Sequence, residues 1–250
     1  CVKGAEALQG VLRGGEETAV YCQRVSQFEN DADGITREVL TAVRAAHPTQ
    51  RSEIGGHTWT YLETGEGETL LLLPGALGEA DTSFQYILAL QASYRVISLG
   101  YPPTLDRLPA LLDGLDMVLR RLHVTQAHIV GGSYSGLVAQ YFAAHWPGRV
   151  RSLLLSNIGA PSPSQAPLWS FAARTIGLLP EPALQRLMRA SIRRFLPGDS
   201  PAERFWRSYF ASALPTWSKG AVVTRLRLMG QMHGRANADR LRCTAFGGPV

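Results

Sequence analysis

The period of the apolar positions changes once along the chain. Val25, Phe28, Ala32, Ile35, Val39 and Val43 recur at spacings of three and four, which is one face of a helix. A helix–turn–helix hairpin is predicted over residues 1–46. Residues 47–56 (HPTQRSEIGG) are polar and carry Pro48 and two glycines, so they are predicted to be a linker. From His57 the pattern shortens to that of strands. HTWTYLE alternates, TLLLLPG is a continuous apolar run, and YRVISLG, AHIVGG and VRSLLLSN follow. Between them lie helical stretches: SFQYILALQ after Asp81 or Thr82 as the cap, Leu105 to Leu122 with Pro109 in its early part, and residues 135–146. Strand–helix alternation at this spacing builds right-handed βαβ units on a parallel sheet. Residues 166–236 break the alternation and read as about four helices punctuated by prolines.

The expected fold class is therefore α/β: a mostly parallel sheet in a core over 57–160, a helical lid over 161–240, and the start of a further strand over 241–250. Residues 1–46 precede it as a helical hairpin. Ligands bind at the carboxyl edge of such sheets, which is where a helical insertion would sit.

Composition narrows the class. The chain has 250 residues, 45% hydrophobic and 18% charged, which excludes general disorder. Its longest apolar run, residues 70–77, falls far short of the roughly 20 residues of a membrane span. Three distant cysteines, Cys1, Cys22 and Cys243, form no disulfide framework and imply a reducing, cytoplasmic setting. No metal-ligand cluster stands out, and no metal or other cofactor is expected. The net charge is +5, but residues 160–250 alone carry +9. These arginines follow helical spacing without interleaved aromatics, so a solvated basic face is preferred over a nucleic-acid groove. No nucleic-acid partner is expected.

One string carries chemistry. In HIVGGSYSGLVAQ (128–140) an apolar strand runs into Gly131-Gly132-Ser133-Tyr134-Ser135-Gly136 and straight into a helix. A sharp strand-to-helix turn lifts one side chain off the sheet edge, and its neighbours two before and two after must be small. For Ser133 those neighbours are Gly131 and Ser135. A dinucleotide loop needs glycine at 133 and a phosphate-binding loop needs lysine after the last glycine; Ser133 and Leu137 stand there instead. A purely structural tight turn is the remaining alternative.

On these motifs residues 55–250 resemble the α/β-hydrolase superfamily with a helical lid. LLLLPGALG resembles its oxyanion loop, with Pro74 where many members have histidine. GGSYSG resembles its nucleophile elbow, with Ser135 in place of the usual glycine. PGALGEADTSFQYILAL, YRVISLGYP and RLRLMGQ resemble the maspardin-like branch. The resemblance implies Ser133 as nucleophile, with Ser135 ranked below it, and an oxyanion hole from the backbone N–H groups of Ala76 and Tyr134. It implies an ester-like or other acyl small-molecule substrate. The aromatic lid residues Trp169 and Trp206 are candidates for contact with an apolar part of that substrate.

A serine nucleophile needs a base and an acid, which in this family follow the lid. The chain stops at what resembles strand β7 of the family, so both are expected to be missing and the chain alone to be a poor catalyst. Of the six histidines, only His233 is placed near the site. Asn157 ends a strand where some members place the acid, but an amide cannot stabilise imidazolium as a carboxylate does. The second reading is a non-catalytic protein-binding module of the same fold. Residues 1–45 separately resemble a fragment of PhoU-like phosphate-transport regulators, with Glu29 and Asp33 at that family's spacing.

Overall fold

The structure, a computed structural model, describes residues 41–76, 78–156, 158, 163–214 and 217–232. The predicted N-terminal hairpin (with Glu29 and Asp33), Asn157, His233 and the strand expected over 241–250 lie outside the described residues.

Among the described residues six strands form one sheet: β1 (Gln50–Ile54), β2 (His57–Thr64), β3 (Thr69–Leu72), β4 (Arg95–Gly100), β5 (Ala127–Gly132) and β6 (Val150–Ser156), in the order β1-β2-β4-β3-β5-β6. β4, β3, β5 and β6 are parallel to one another, while β2 runs antiparallel to both its neighbours, β1 and β4. The α-helices lying wholly within the described residues are α1 (Phe84–Leu90), α2 (Leu108–Arg121), α3 (Tyr134–His145), α4 (Ala166–Leu178), α5 (Glu181–Phe195), α6 (Pro201–Ala213) and α7 (Lys219–Gln231). The mostly parallel α/β fold is as predicted.

Strand periodicity sorts the core into two layers. Trp59, Tyr61, Leu71, Ile97 and Ile129 point to one face, where α2, α3 and α7 supply Leu111, Leu115, Phe142 and Leu228. Their neighbours Leu62, Leu70, Leu72 and Val96 point to the other, against Ile87 of α1. Successive strand side chains alternate faces, so a continuous apolar run such as TLLL fills both layers at once.

Two local predictions need correcting. Residues 47–56 are not simply a linker: Gln50–Ile54 pair with His57–Tyr61 as a hairpin. Gly55 and Gly56 turn it at φ 62° and 77°, the left-handed conformation that a two-residue hairpin loop demands and glycine supplies. Polar QRSE hid the strand because β1 is an edge strand, mostly exposed. Asp81 and Thr82 do not cap α1. They lie in a short 3-10 turn, Ala80–Ser83, with no side-chain cap at Ser83; Asp81 instead accepts from Arg44 Nε at 2.6 Å.

The stretch predicted as one lid divides between two compact units. The first comprises residues 44–179 and 218–232 among those described, and the second residues 41–43 and 180–217. In the first, α4 and α7 pack closely: a Cβ added at Gly230 would stand 2.7 Å from Ser170 Oγ. In the second, α6 begins with a capping box. Ser200 Oγ accepts from Glu203 N at 3.2 Å and the Glu203 carboxylate accepts from Ser200 N at 3.5 Å, satisfying N–H groups the helix leaves unpaired. No helix among the described residues is long and apolar enough to cross a membrane.

Candidate active site

β3 and β5 are adjacent and in register, with Leu72 opposite Val130. Whatever follows the two strands therefore emerges side by side at one sheet edge. After β5 comes Ser133, with φ 52° and ψ −121°. A non-glycine residue there is strained, by about 1–3 kcal/mol; His123 is the one other such residue among those described. The strain is held from three sides. Ser133 N donates to Ser156 O at the end of β6, 3.1 Å away, and Ser133 O accepts from Gly136 N at 3.0 Å. Gly131 has no room for a side chain, since a Cβ there would stand 2.6 Å from Ser135 O. Gly136 is equally confined, its Cβ position 2.8 Å from Ile158 Cγ2.

The two serines of the turn have opposite surroundings. Ser133 is exposed, and its hydroxyl caps no helix N–H. Ser135 is 1% exposed. Its Oγ donates to Gly132 O and accepts from Gly132 N, both at 2.9 Å. The hydroxyl that replaces the usual glycine thus pins the turn, and burial leaves it unsuited to attack a substrate.

The loop after β3 is tied to the same edge. Leu73 N donates to Val130 O at 3.0 Å, Gly78 N to Gly75 O at 3.0 Å, and Tyr101 N to Gly78 O at 3.0 Å. Pro74 is buried and Ala76 is exposed. Arg225 of α7 reinforces the arrangement. It is 5% exposed, donates from Nη2 to Tyr101 O at 3.0 Å and from Nη1 to Pro102 O at 3.4 Å, and lies so close to Gly78 that a Cβ there would meet Nη2 at 2.6 Å. Glu79, beside this loop, keeps an exposed surface. Its carboxyl is nevertheless raised above its ordinary value, first by desolvation and then by Asp81, against the pull of Arg225.

Beneath Ser133 runs a stack of aromatic rings. Tyr134 meets Tyr101 edge to face at 5.9 Å, and Tyr101 meets Trp59 likewise at 6.5 Å. The Arg225 guanidinium sits over the Tyr101 ring at 5.1 Å. Neither phenol has a well-formed hydrogen bond. Burial raises Tyr134 to about 12, against the opposing pull of Arg225. Tyr101 is raised well above its usual value, by burial first and by Tyr134 second.

An unfolded tyrosine ionises near pH 10, before the folded one. The stability these phenols contribute is therefore full below pH 10 and lost as pH rises from 10 through about 12. Tyr134 at about 12 against an ordinary 10 corresponds to about 3 kcal/mol. The double variant Tyr101→Phe/Tyr134→Phe is expected to keep its urea midpoint across that window while the parent chain's midpoint falls; equal falls would show that other groups control alkaline unfolding.

Three described histidines, His57, His128 and His145, are engaged away from Ser133. His128, at the opposite end of β5, lies five residues or roughly 16 Å along the strand from Ser133; it bonds Ser152 Oγ at 2.7 Å and Glu68 at 3.2 Å. His57 is at the right edge because β2 runs antiparallel to β4. It is three strands over, however, roughly 14 Å away, and contacts Thr104 Oγ1 at 3.3 Å. His145 pairs with Asp113 at 3.4 Å at the far end of α3. Trp169 is half-buried on α4 in the sheet's unit, and Trp206 is half-buried on α6 in the other. Trp206 stacks on Phe210 at 5.6 Å and meets Phe205 and Tyr209 edge-on. Sequence reading missed Arg225 and Tyr101. The available signal was an arginine among the apolar residues of α7, in AVVTRLRLM.

Comparison with known proteins agrees with this architecture. A hydrolase from Pseudomonas aeruginosa superposes with a TM-score of 0.61 over 74% of each chain at 18% identity, which speaks for the fold alone. Maspardin from Rattus norvegicus is 37% identical over 136 residues, 52% of this chain and 51% of that protein. Maspardin from Danio rerio is 34% identical over 176 residues, 68% of this chain and 55% of that protein. The chain thus spans about half the length of the curated relatives it matches. The family described as "Alpha/beta hydrolase family" matches residues 70–241. With a continuous match over most of its length and the strand–serine–helix turn in its expected place, the chain belongs to the alpha/beta hydrolase family, near its maspardin branch.

Proposed function

We propose that the protein is a serine hydrolase acting on an ester-like or other acyl small molecule, with Ser133 as nucleophile. The observation that carries this reading is the contrast at the elbow: Ser133 is strained and exposed, whereas Ser135 is buried and bonded. A protein retains backbone strain where the geometry serves a purpose.

Ser133 Oγ attacks the acyl carbonyl and its proton passes to a base. The carbonyl π bond opens to a tetrahedral oxyanion, which collapses to an acyl-enzyme as the leaving group departs with a proton. Water then repeats the sequence and frees the acid. The developing oxyanion is stabilised by the N–H of Tyr134, in the unpaired first turn of α3, and by that of Ala76. Trp169, in the same compact unit as Ser133, would contact an apolar part of the substrate. The cysteine pattern supports a cytoplasmic setting.

A second reading is a non-catalytic protein-binding module on the same fold. It is favoured by one observation: His57, His128 and His145 each bond elsewhere. Fluorophosphonate labelling of the complete gene product, with the adduct mapped by mass spectrometry, decides between them. An adduct on Ser133 supports the hydrolase. A folded protein that takes no label leaves the elbow as a structural turn and favours the binding module.

A further inference from the structure

α7 carries a buried arginine whose hydrogen bonds run to the sheet edge that holds Ser133. Arg225 lies in the same compact unit as Ser133 and is 5% exposed. Burying a guanidinium is costly, and an apolar residue of similar volume often serves stability as well or better. The arginine does something an apolar side chain cannot. Its Nη2 and Nη1 donate to two successive carbonyls, Tyr101 O at 3.0 Å and Pro102 O at 3.4 Å. β4 ends at Gly100, so both carbonyls belong to the loop that follows it.

The same group closes on both elements that bear the oxyanion donors. It lies over the Tyr101 ring, and that ring meets the ring of Tyr134, whose own N–H is one donor. Its Nη2 stands against Gly78, two residues after Ala76, whose N–H is the other. Gly78 O in turn accepts from Tyr101 N at 3.0 Å. One guanidinium thus joins the loop after β3, the loop after β4 and the first residue of α3. Other bonds hold α7 in place over the same stretch. Gln231 Oε1 accepts from Leu108 N at 2.8 Å, Gln231 Nε2 donates to Asp106 O at 2.7 Å, and Arg227 pairs with Asp106 at 3.2 Å.

We infer that Arg225 is a positioning residue for the oxyanion hole. It keeps the N–H groups of Ala76 and Tyr134 at the separation that a tetrahedral oxyanion on Ser133 requires. It acts through Gly78 and Tyr101 and touches no reacting atom. Its catalytic meaning rests on the hydrolase reading; the linkage of α7 to the two loops does not. The planar fork is what the place demands. A lysine ammonium is a point charge that cannot reach two carbonyls in one plane and cover a ring with the same group.

The test uses the complete protein and a p-nitrophenyl ester. Arg225→Met keeps much of the side-chain volume and removes the fork. It is expected to lower kcat about 10²-fold and leave KM within about twofold, because oxyanion donors act chiefly on the transition state. Arg225→Lys is expected to stay close to Arg225→Met; full recovery would show that charge alone matters and would overturn the positioning role. Leu228→Ala is the control. Leu228 lies one turn along α7 with no exposed surface, so its loss loosens the helix without removing the bonds to the two loops. It is expected to lower the Tm yet keep kcat at a temperature well below melting. An equal loss of kcat in both variants would reduce Arg225 to a docking residue and overturn the proposal. Amide exchange at Gly78 and Tyr101, measured by NMR, needs no turnover. Arg225→Met is expected to speed it about tenfold, and unchanged exchange overturns the linkage itself. A parent protein that neither turns over the ester nor takes a fluorophosphonate label overturns the hydrolase reading and the positioning role together. Turnover in the parent that Arg225→Met leaves intact overturns the positioning role alone.

Discussion

Ser133→Ala is expected to lower the turnover of a p-nitrophenyl ester by the complete protein about 10⁶-fold. The size follows from the division of labour at the elbow. Removing the nucleophile leaves the oxyanion donors and substrate binding, which by themselves supply only about 10³–10⁴-fold over water. The informative companion is Ser135→Ala. Its Oγ bonds both Gly132 N and Gly132 O, so its loss loosens the turn without removing a reacting atom. Losing one such local pair costs about 1 kcal/mol, which keeps activity within about tenfold. A reversed order, with Ser133→Ala active and Ser135→Ala dead, would refute the assignment of the nucleophile. Parallel mild effects from both would favour the binding-module reading.

Trp59→Ala is expected to cost about 3–5 kcal/mol of stability, lowering the Tm of the sheet unit by about 10 °C. Trp59 has no exposed surface. It fills the space left by Gly114 on α2, where a Cβ would stand 2.5 Å from its Cζ2. Truncation removes the largest side chain of that layer and leaves a cavity that α2 and the sheet cannot close. Trp59→Phe is expected to cost much less. It keeps most of the volume and discards an indole N–H that has no hydrogen-bond partner. The effect also reaches the site, because Trp59 supports Tyr101 and Tyr101 supports Tyr134. Trp59→Ala is therefore expected to slow fluorophosphonate labelling at Ser133 more than Trp59→Phe does, measured well below the melting temperature. Equal labelling rates would show that the aromatic stack stabilises the fold without setting the elbow.

Much of the architecture was legible because its signals are local. TLLLL, RVISLG and AHIVGG are apolar on both faces, as strands covered on both sides must be, and each forms a strand in the structure. The four helices after residue 166 were legible from spacing and prolines. β1 was not, because an edge strand needs few apolar residues and its partner lies across a turn. The cap expected at Asp81 failed for a similar reason. A carboxylate near a helix start has competitors, and Arg44, 37 positions away in sequence, holds it.

At the site the division is sharper. By itself the sequence determined that a serine would stand between a strand and a helix with small neighbours, since steric crowding at such a turn admits few residue types. It also showed a chain rich in arginine toward its C-terminal end. Only the tertiary structure decided which of two nearby serines is free, because that depends on Oγ reaching Gly132 across the turn. Only it could set Arg225 against Gly78 and Tyr101, more than a hundred residues away. Helical spacing fixes the face a residue occupies on its own helix, but the docking of that helix fixes which loops the face meets.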